Sequence, residues 1–162
     1  MKVLKFGGTS VGSVESIRAV VEIVKQERQQ NNSIILVVSA ISGLTNLLTK
    51  MSEEASLGSF DENDLKLFQD KHFEIIKSLI DVPNQNTILT KLKLLMNELE
   101  ALLEGVEILK ELSPQTKDLI LSFGERCSAL LIAKVMQEHV GDSLGINASD
   151  YILTDHNFGQ AN

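Results

Sequence analysis

The order of apolar and polar positions opens on a short strand, Val3 to Phe6, which stops at Gly7-Gly8. From about Ser13 to Gln30 the apolar residues Ile17, Val20, Val21 and Val24 recur at helical spacing. Ser13 suits the N-cap of this helix, and Glu15 suits the positive end of its dipole. Asn31-Asn32 interrupt the pattern before Ile34-Ile35-Leu36-Val37-Val38, an apolar run with no polar alternation. Such a run predicts a strand buried on both faces. Strand, helix and strand in this order predict a right-handed βαβ unit and a parallel sheet.

From Leu44 to Leu112 the periodicity is helical throughout. One helix is expected from Leu44 to about Ala55. Ser59-Phe60-Asp61-Glu62 reads as a capping box that opens a second, which Pro83 and Asn84 end near Ile80. A third is expected from about Thr87 to Leu103, with Gly105 as an interruption. Ser113-Pro114, an N-cap followed by proline at the first helical position, opens a fourth that reaches His139 and stops at Gly141. Asp142 to Ala148 and Tyr151 to Leu153 look like short strand segments. No internal repeat or low-complexity segment is visible.

Composition narrows the class. The chain has 162 residues, about one domain, with 43% hydrophobic and 23% charged residues, the balance of a globular protein rather than a disordered one. With six Phe, one Tyr and no Trp, the core must be built from Leu, Ile and Val. A net charge of −7 without a basic cluster argues against nucleic acid as a partner. A local positive site for a nucleotide is still compatible with it. The lone Cys127 cannot form an internal disulfide, which makes a reducing, cytoplasmic setting the default. No apolar stretch approaches the ~20 residues of a membrane span, and the N-terminus lacks signal-peptide features.

Three segments carry possible chemistry. Lys5-Phe6-Gly7-Gly8-Thr9-Ser10 puts a lysine at a strand end, two glycines after it, and a helix beyond. Glycines let backbone N–H groups approach an anion, a helix N-terminus adds partial positive charge, and the lysine adds a full one. The order is not that of a Walker loop or a dinucleotide fingerprint. A tight turn with a solvated Lys5 fits the same pattern. Ser39-Ala40-Ile41-Ser42-Gly43-Leu44-Thr45-Asn46 follows the second strand, at the same carboxyl edge, where ligands of open α/β sheets bind. Ser39 and Thr45 offer hydroxyls to a carboxylate or phosphate, although Thr45 or Asn46 would equally serve as a helix cap. In Ser122-Phe123-Gly124-Glu125-Arg126-Cys127-Ser128, Glu125 interrupts a helix that is apolar nearly all round. Its neighbours one turn away are Leu121, Ser122, Ser128 and Ala129. A buried carboxylate there needs a cation, either a ligand ammonium or a lysine or arginine from elsewhere. Gly124 in mid-helix points to close approach of a ligand or backbone. Cys127, with no histidine beside it, reads as a small buried hydrophobe. His72, His139 and His156 lack metal-ligand spacing and are expected at the surface, with no zinc site.

In this order the three segments resemble the aspartokinases of the amino acid kinase family. Lys5-Phe6-Gly7-Gly8-Thr9-Ser10-Val11 is similar to that family's opening signature. Val37-Val38-Ser39-Ala40 with Leu44-Thr45-Asn46 is similar to its second loop, and Ser122-Phe123-Gly124-Glu125 to its substrate-binding glutamate motif. Asn147-Ala148 through Thr154-Asp155 to Phe158-Gly159-Gln160-Ala161 resembles the segment that follows. The resemblance implies a three-layer αβα sandwich with a mostly parallel sheet, of the amino acid kinase or carbamate kinase type. Residues 1–162 would be its N-terminal, amino-acid-binding part, with a helical excursion over 44–112. The nucleotide lobe and regulatory domains of complete members would lie outside the chain. A weaker likeness, from Leu103-Glu104-Gly105-Val106 to Leu112, is to the forms fused to homoserine dehydrogenase. The implied reaction moves the γ-phosphoryl group of ATP, carried with Mg2+, to the side-chain carboxylate of L-aspartate. It gives 4-phospho-L-aspartate, the entry to lysine, threonine and methionine synthesis. Lys5, Phe6, Gly7, Gly8, Thr9 and Ser10 would then meet the ATP phosphates, with Lys5 catalytic. Ser39 and Thr45 would orient aspartate, and Glu125 would hold its α-ammonium. The family also implies a homo-oligomer for the intact protein. The alternatives are another amino acid kinase, acting on glutamate, acetylglutamate or a nucleotide monophosphate, and a non-catalytic binding or assembly module of the same fold.

Overall fold

Two parallel strands, β1 (Lys2–Phe6) and β2 (Ile34–Val38), pair with Lys5 beside Val37 and Phe6 beside Val38. The helix α1 (Val14–Gln30) makes the crossover between them and buries Ile17, Val20, Val21 and Val24, the residues its periodicity singled out. This computed structural model describes residues 1–30, 33–155 and 158. Asn31, Asn32, His156 and the Gly159-Gln160-Ala161 part of the tail motif lie outside the described residues.

Pleating divides the sheet into two unlike faces. Leu4, Phe6, Ile34, Leu36 and Val38 pack against the helical core. Val3, Ile35 and Val37 are exposed on the other face, which also carries Lys5. The expectation that β2 is buried on both faces is therefore corrected. Its unbroken apolar run is real, but among the described residues only one side of it is packed. The described residues form a two-stranded parallel sheet with five α-helices.

Four helices follow the sheet: α2 (Leu44–Ser56), α3 (Glu62–Leu79), α4 (Val82–Leu109) and α5 (Pro114–His139). α2, α4 and α5 pack on one another, α3 packs on all three, and α5 also reaches β2. Their shared core is mostly Leu, Ile, Val and Met, with Phe68 and Phe123 as its two fully buried aromatics.

Several boundaries differ from the sequence-based expectation for identifiable reasons. The cap of α3 is Asp61, whose Oδ1 accepts the Asn63 N–H at 2.9 Å, rather than Ser59. α4 begins at Val82 instead of Thr87. Pro83 lies in its first turn, where a missing N–H breaks no intrahelical bond. The same helix runs through Gly105 to Leu109, because the apolar stripe Leu99, Leu103 and Val106 continues across the glycine. α5 starts as expected, with Ser113 Oγ accepting the Thr116 N–H at 3.1 Å.

Asp142–Ala148 and Tyr151–Leu153 are not strands. Gly145 rests against Leu130 and Ala133 of α5, and Ala148–Asp150 form a single 3-10 turn. A strand needs an edge to pair with, and this segment pairs with none. His72 is likewise not at the surface but fully buried on α3. Among the described residues no helix is long and apolar enough to cross a membrane.

Candidate active site

All three chemistry-bearing segments meet at Ala40, the second residue after β2. The Ala40 N–H donates to Glu125 Oε1 at 3.3 Å. A Cβ added to Gly124 would sit 2.8 Å from the Ala40 Cβ, and one added to Gly8 would sit 2.8 Å from the Ala40 carbonyl oxygen. Contacts that short are not tolerated, so glycine is required on both sides for the first loop, the second loop and α5 to close together. Sequence reasoning attributed Gly124 to close approach of a ligand or backbone, and the approaching group is the Ala40 loop. Ala40 itself offers no chemistry, and nothing in its residue type could have singled it out.

The first loop is a compact turn rather than a direct lead into a helix. The Ser10 and Val11 N–H groups donate to the Gly7 carbonyl at 2.9 and 3.3 Å, and the Gly12 N–H donates to Thr9 at 3.4 Å. Five residues separate Gly8 from the start of α1 at Val14, and Ser13 Oγ caps that helix by accepting the Ser16 N–H at 3.2 Å. Positive character from α1 is thus partly consumed at its own cap, Ser13, the residue its sequence pattern offered for that role. The Gly8 and Thr9 N–H groups have no partner among the described residues. Space is open beside the Gly7 Cα. Lys5 is exposed and forms no ion pair among the described residues. This ensemble fits a phosphate group: one free ammonium, two free amides and room for an anion. It offers no ligands for a metal, and no cluster of three His, Cys, Asp or Glu stands elsewhere among the described residues.

Among the described residues, the Ser39 and Thr45 hydroxyls of the second loop have no hydrogen-bond partner. The Ser39 N–H is fixed on the Phe6 carbonyl at 3.2 Å, tying the two loops together at the strand ends. α2 is capped by Gly43, at φ 83° and without a side-chain bond. Thr45 is therefore not the cap, and its exposed hydroxyl stands in the first turn of the helix. Lys71 of α3 places its Nζ 3.4 Å from the Ser42 carbonyl, a cation beside this loop that no sequence motif pointed to.

Glu125 differs from expectation in its burial. It is exposed rather than enclosed. Among the described residues no lysine or arginine pairs with it, and its Ala40 bond occupies only Oε1. Arg126, the nearest candidate partner, turns away to Glu98 at 3.2 Å, with its guanidinium 4.4 Å from the centre of the Phe123 ring. Cys127 is buried, and burial pushes its thiol up to about 12, so it stays protonated and is no nucleophile. Burial also lowers His72 to about 4.

The whole of this chain, residues 1–162, matches the model of the amino acid kinase family. The chain belongs to that family. Aspartokinases are among its curated relatives. Aspartokinase 1, chloroplastic, of Arabidopsis thaliana is 33% identical over 153 residues, covering 92% of this chain and 25% of the relative. Lysine-sensitive aspartokinase 3 of Escherichia coli is 30% identical over 164 residues, covering 98% of this chain and 33% of the relative. This kinase-family chain thus spans a quarter to a third of the length of these relatives. A crystal structure of E. coli aspartokinase III in complex with aspartate and ADP aligns with a TM-score of 0.70 at 27% identity, over 85% of this chain and 29% of that one. Another, of the same enzyme with lysine and aspartate, shares the fold across 100% of this chain at a TM-score of 0.76.

Proposed function

We propose that residues 1–162 form the amino-acid-binding part of an aspartokinase. The intact protein moves the γ-phosphoryl group of ATP to the side-chain carboxylate of L-aspartate, giving 4-phospho-L-aspartate for lysine, threonine and methionine synthesis. The observation that carries this is the meeting of three segments on Ala40. Among the described residues, one brings an unpaired ammonium with free amides, another two free hydroxyls, and the third a carboxylate with one oxygen unused. An α-amino dicarboxylic acid and a phosphate together complement that set in charge and in hydrogen bonding. The relative whose structure holds aspartate and ADP supports the same ligand pair.

Phosphoryl transfer asks the protein mainly for positioning and charge neutralisation. Glu125 Oε2 accepts from the substrate α-ammonium, while Ser39 and Thr45 donate to its carboxylates. Lys5, with the Phe6 to Ser10 loop behind it, meets the phosphate oxygens as negative charge spreads over them. Magnesium arrives on the nucleotide, whose phosphates hold it. The remaining chain supplies the adenosine site and covers the open sheet face bearing Val3, Ile35 and Val37, completing a three-layer sandwich in a homo-oligomeric protein.

The test is an acceptor panel with the full-length protein and Mg-ATP: L-aspartate, L-glutamate, acetylglutamate and a nucleoside monophosphate. Turnover is followed by phosphoryl loss from ATP for every acceptor, and the acyl phosphate formed from a carboxylic acid is trapped with hydroxylamine. Hydroxamate from aspartate alone is expected. Preferential turnover of another acceptor would replace the assignment, and no turnover with any acceptor would favour a binding module.

A further inference from the structure

From the packing around Ala40 we infer that Gly124 and Ala40 are positioning residues, whose contact sets the orientation of the Glu125 carboxylate and hence the affinity for the substrate ammonium. The inference rests on the assignment of Glu125 to that ammonium.

Glu125 is exposed, and a glutamate side chain in such a place ordinarily samples several rotamers. Here one oxygen is tethered to a backbone N–H that belongs to a different segment, 85 positions away in the chain. The tether exists only because α5 lies close enough to the second loop, and the distance is governed by the smallest groups at the contact. Gly124 has no side chain, and Ala40 opposes it with a single methyl. Ala40 is itself held from the far side, its carbonyl against Gly8 and its residue 5% exposed, so it cannot retreat. One added methyl on Gly124 must therefore push α5 outward. Such a shift lengthens the 3.3 Å bond from Ala40 N–H and frees Glu125 to rotate. An ammonium arriving at a preorganised acceptor loses less freedom than one that must order its acceptor first. The contact therefore bears on binding of the amine-bearing substrate, not on the phosphate loop.

The experiment is steady-state kinetics on the full-length enzyme carrying Gly124→Ala, Ala40→Val, the pair Gly124→Ala with Ala40→Gly, and Glu125→Gln. Gly124→Ala should raise the aspartate KM about tenfold, as expected for loss of one charge-assisted contact, with the ATP KM unmoved. Ala40→Val, which adds bulk from the other side, should do the same. In the pair, the methyl removed makes room for the methyl added, and the aspartate KM should return most of the way. A structural defect alone would instead move the ATP KM and kcat together with the aspartate KM. Hydrogen exchange of the Ala40 amide gives a second readout without turnover: slow in the parent and the pair, fast in Gly124→Ala.

An unchanged aspartate KM in Gly124→Ala, or an increase that Ala40→Gly does not relieve, overturns the inference provided that Glu125→Gln still raises that KM. If Glu125→Gln leaves the aspartate KM unchanged, the assignment of Glu125 itself fails, and the inference falls with it. Should Gly124→Ala not fold, Ala40→Val and the pair decide the matter in the same way.

Discussion

Lys5 stands at the end of an exposed strand face with no carboxylate to neutralise it among the described residues. In the proposed role its charge acts on oxygens that become more negative as the phosphoryl group moves, so its effect should fall on kcat. In the full-length enzyme Lys5→Ala is expected to lower kcat by about two to three orders of magnitude, the usual loss for one electrostatic contact. The aspartate KM should hold steady. Lys5→Arg should recover little, because a planar fork does not replace a compact ammonium. If both variants kept the parental kcat, Lys5 would be a solvated surface residue. Gly8 makes the complementary case from the other side of Ala40. A Cβ there meets the Ala40 carbonyl at 2.8 Å. Gly8→Ala should therefore displace the phosphate loop and lower kcat, with a smaller change in the aspartate KM. As candidates these residues were legible because charge and glycine announce themselves in a sequence. Ala40 and Lys71 were not, since their importance comes from neighbours brought close only by folding.

Two helices each contain an interior glycine, and the structure gives them opposite meanings. Gly105 of α4 faces open space, whereas Gly124 of α5 faces Ala40 and Leu48. Gly105→Ala should stabilise the chain by about 0.5–1 kcal/mol in urea unfolding, through helix propensity and a less flexible unfolded state. A destabilised Gly105→Ala protein would mean that α4 does not continue through this position. On periodicity alone Gly105 read as a break, because pattern cannot show whether a side chain would have room. α3 carries a second element-scale consequence. His72 is buried, its Nδ1 lies 2.8 Å from the Phe68 carbonyl, and its Nε2 has no partner among the described residues. Its value falls from 6.5 to about 4 on folding, so between those limits the unfolded chain binds the additional proton. Stability should thus be full above about pH 6.5 and fall by about 3 kcal/mol as the pH drops to 4. His72→Phe should flatten that part of the profile. An equally steep fall in the variant would place the acid sensitivity elsewhere. The surface expectation for His72 failed because its polar ring sits at a position where the α3 stripe, with Phe68, Ile75 and Ile76, is otherwise apolar.

Over the whole molecule, the βαβ start and the order of helices followed from periodicity. The strands expected after Gly141 did not form: the segment lies against α5 at Gly145 and turns at Ala148–Asp150, pairing with neither edge of the sheet, and the segment's own composition could not show this. The chain spans 25% and 33% of two of its aspartokinase relatives. Residues 1–162 expressed alone should therefore show only background ADP release with aspartate, and release above a Lys5→Ala control would contradict that. On the proposed assignment, segments beginning at Lys5, Ser39 and Ser122 form one site for an amino acid and a phosphate in the full-length protein. That unity is tested most directly by Glu125→Gln, with each substrate varied in turn. The aspartate KM should rise roughly ten- to a hundredfold, the loss of a charged acceptor, while the ATP KM stays within about twofold. An aspartate KM that stays put while the ATP KM rises would contradict the assignment of this site to the amino acid.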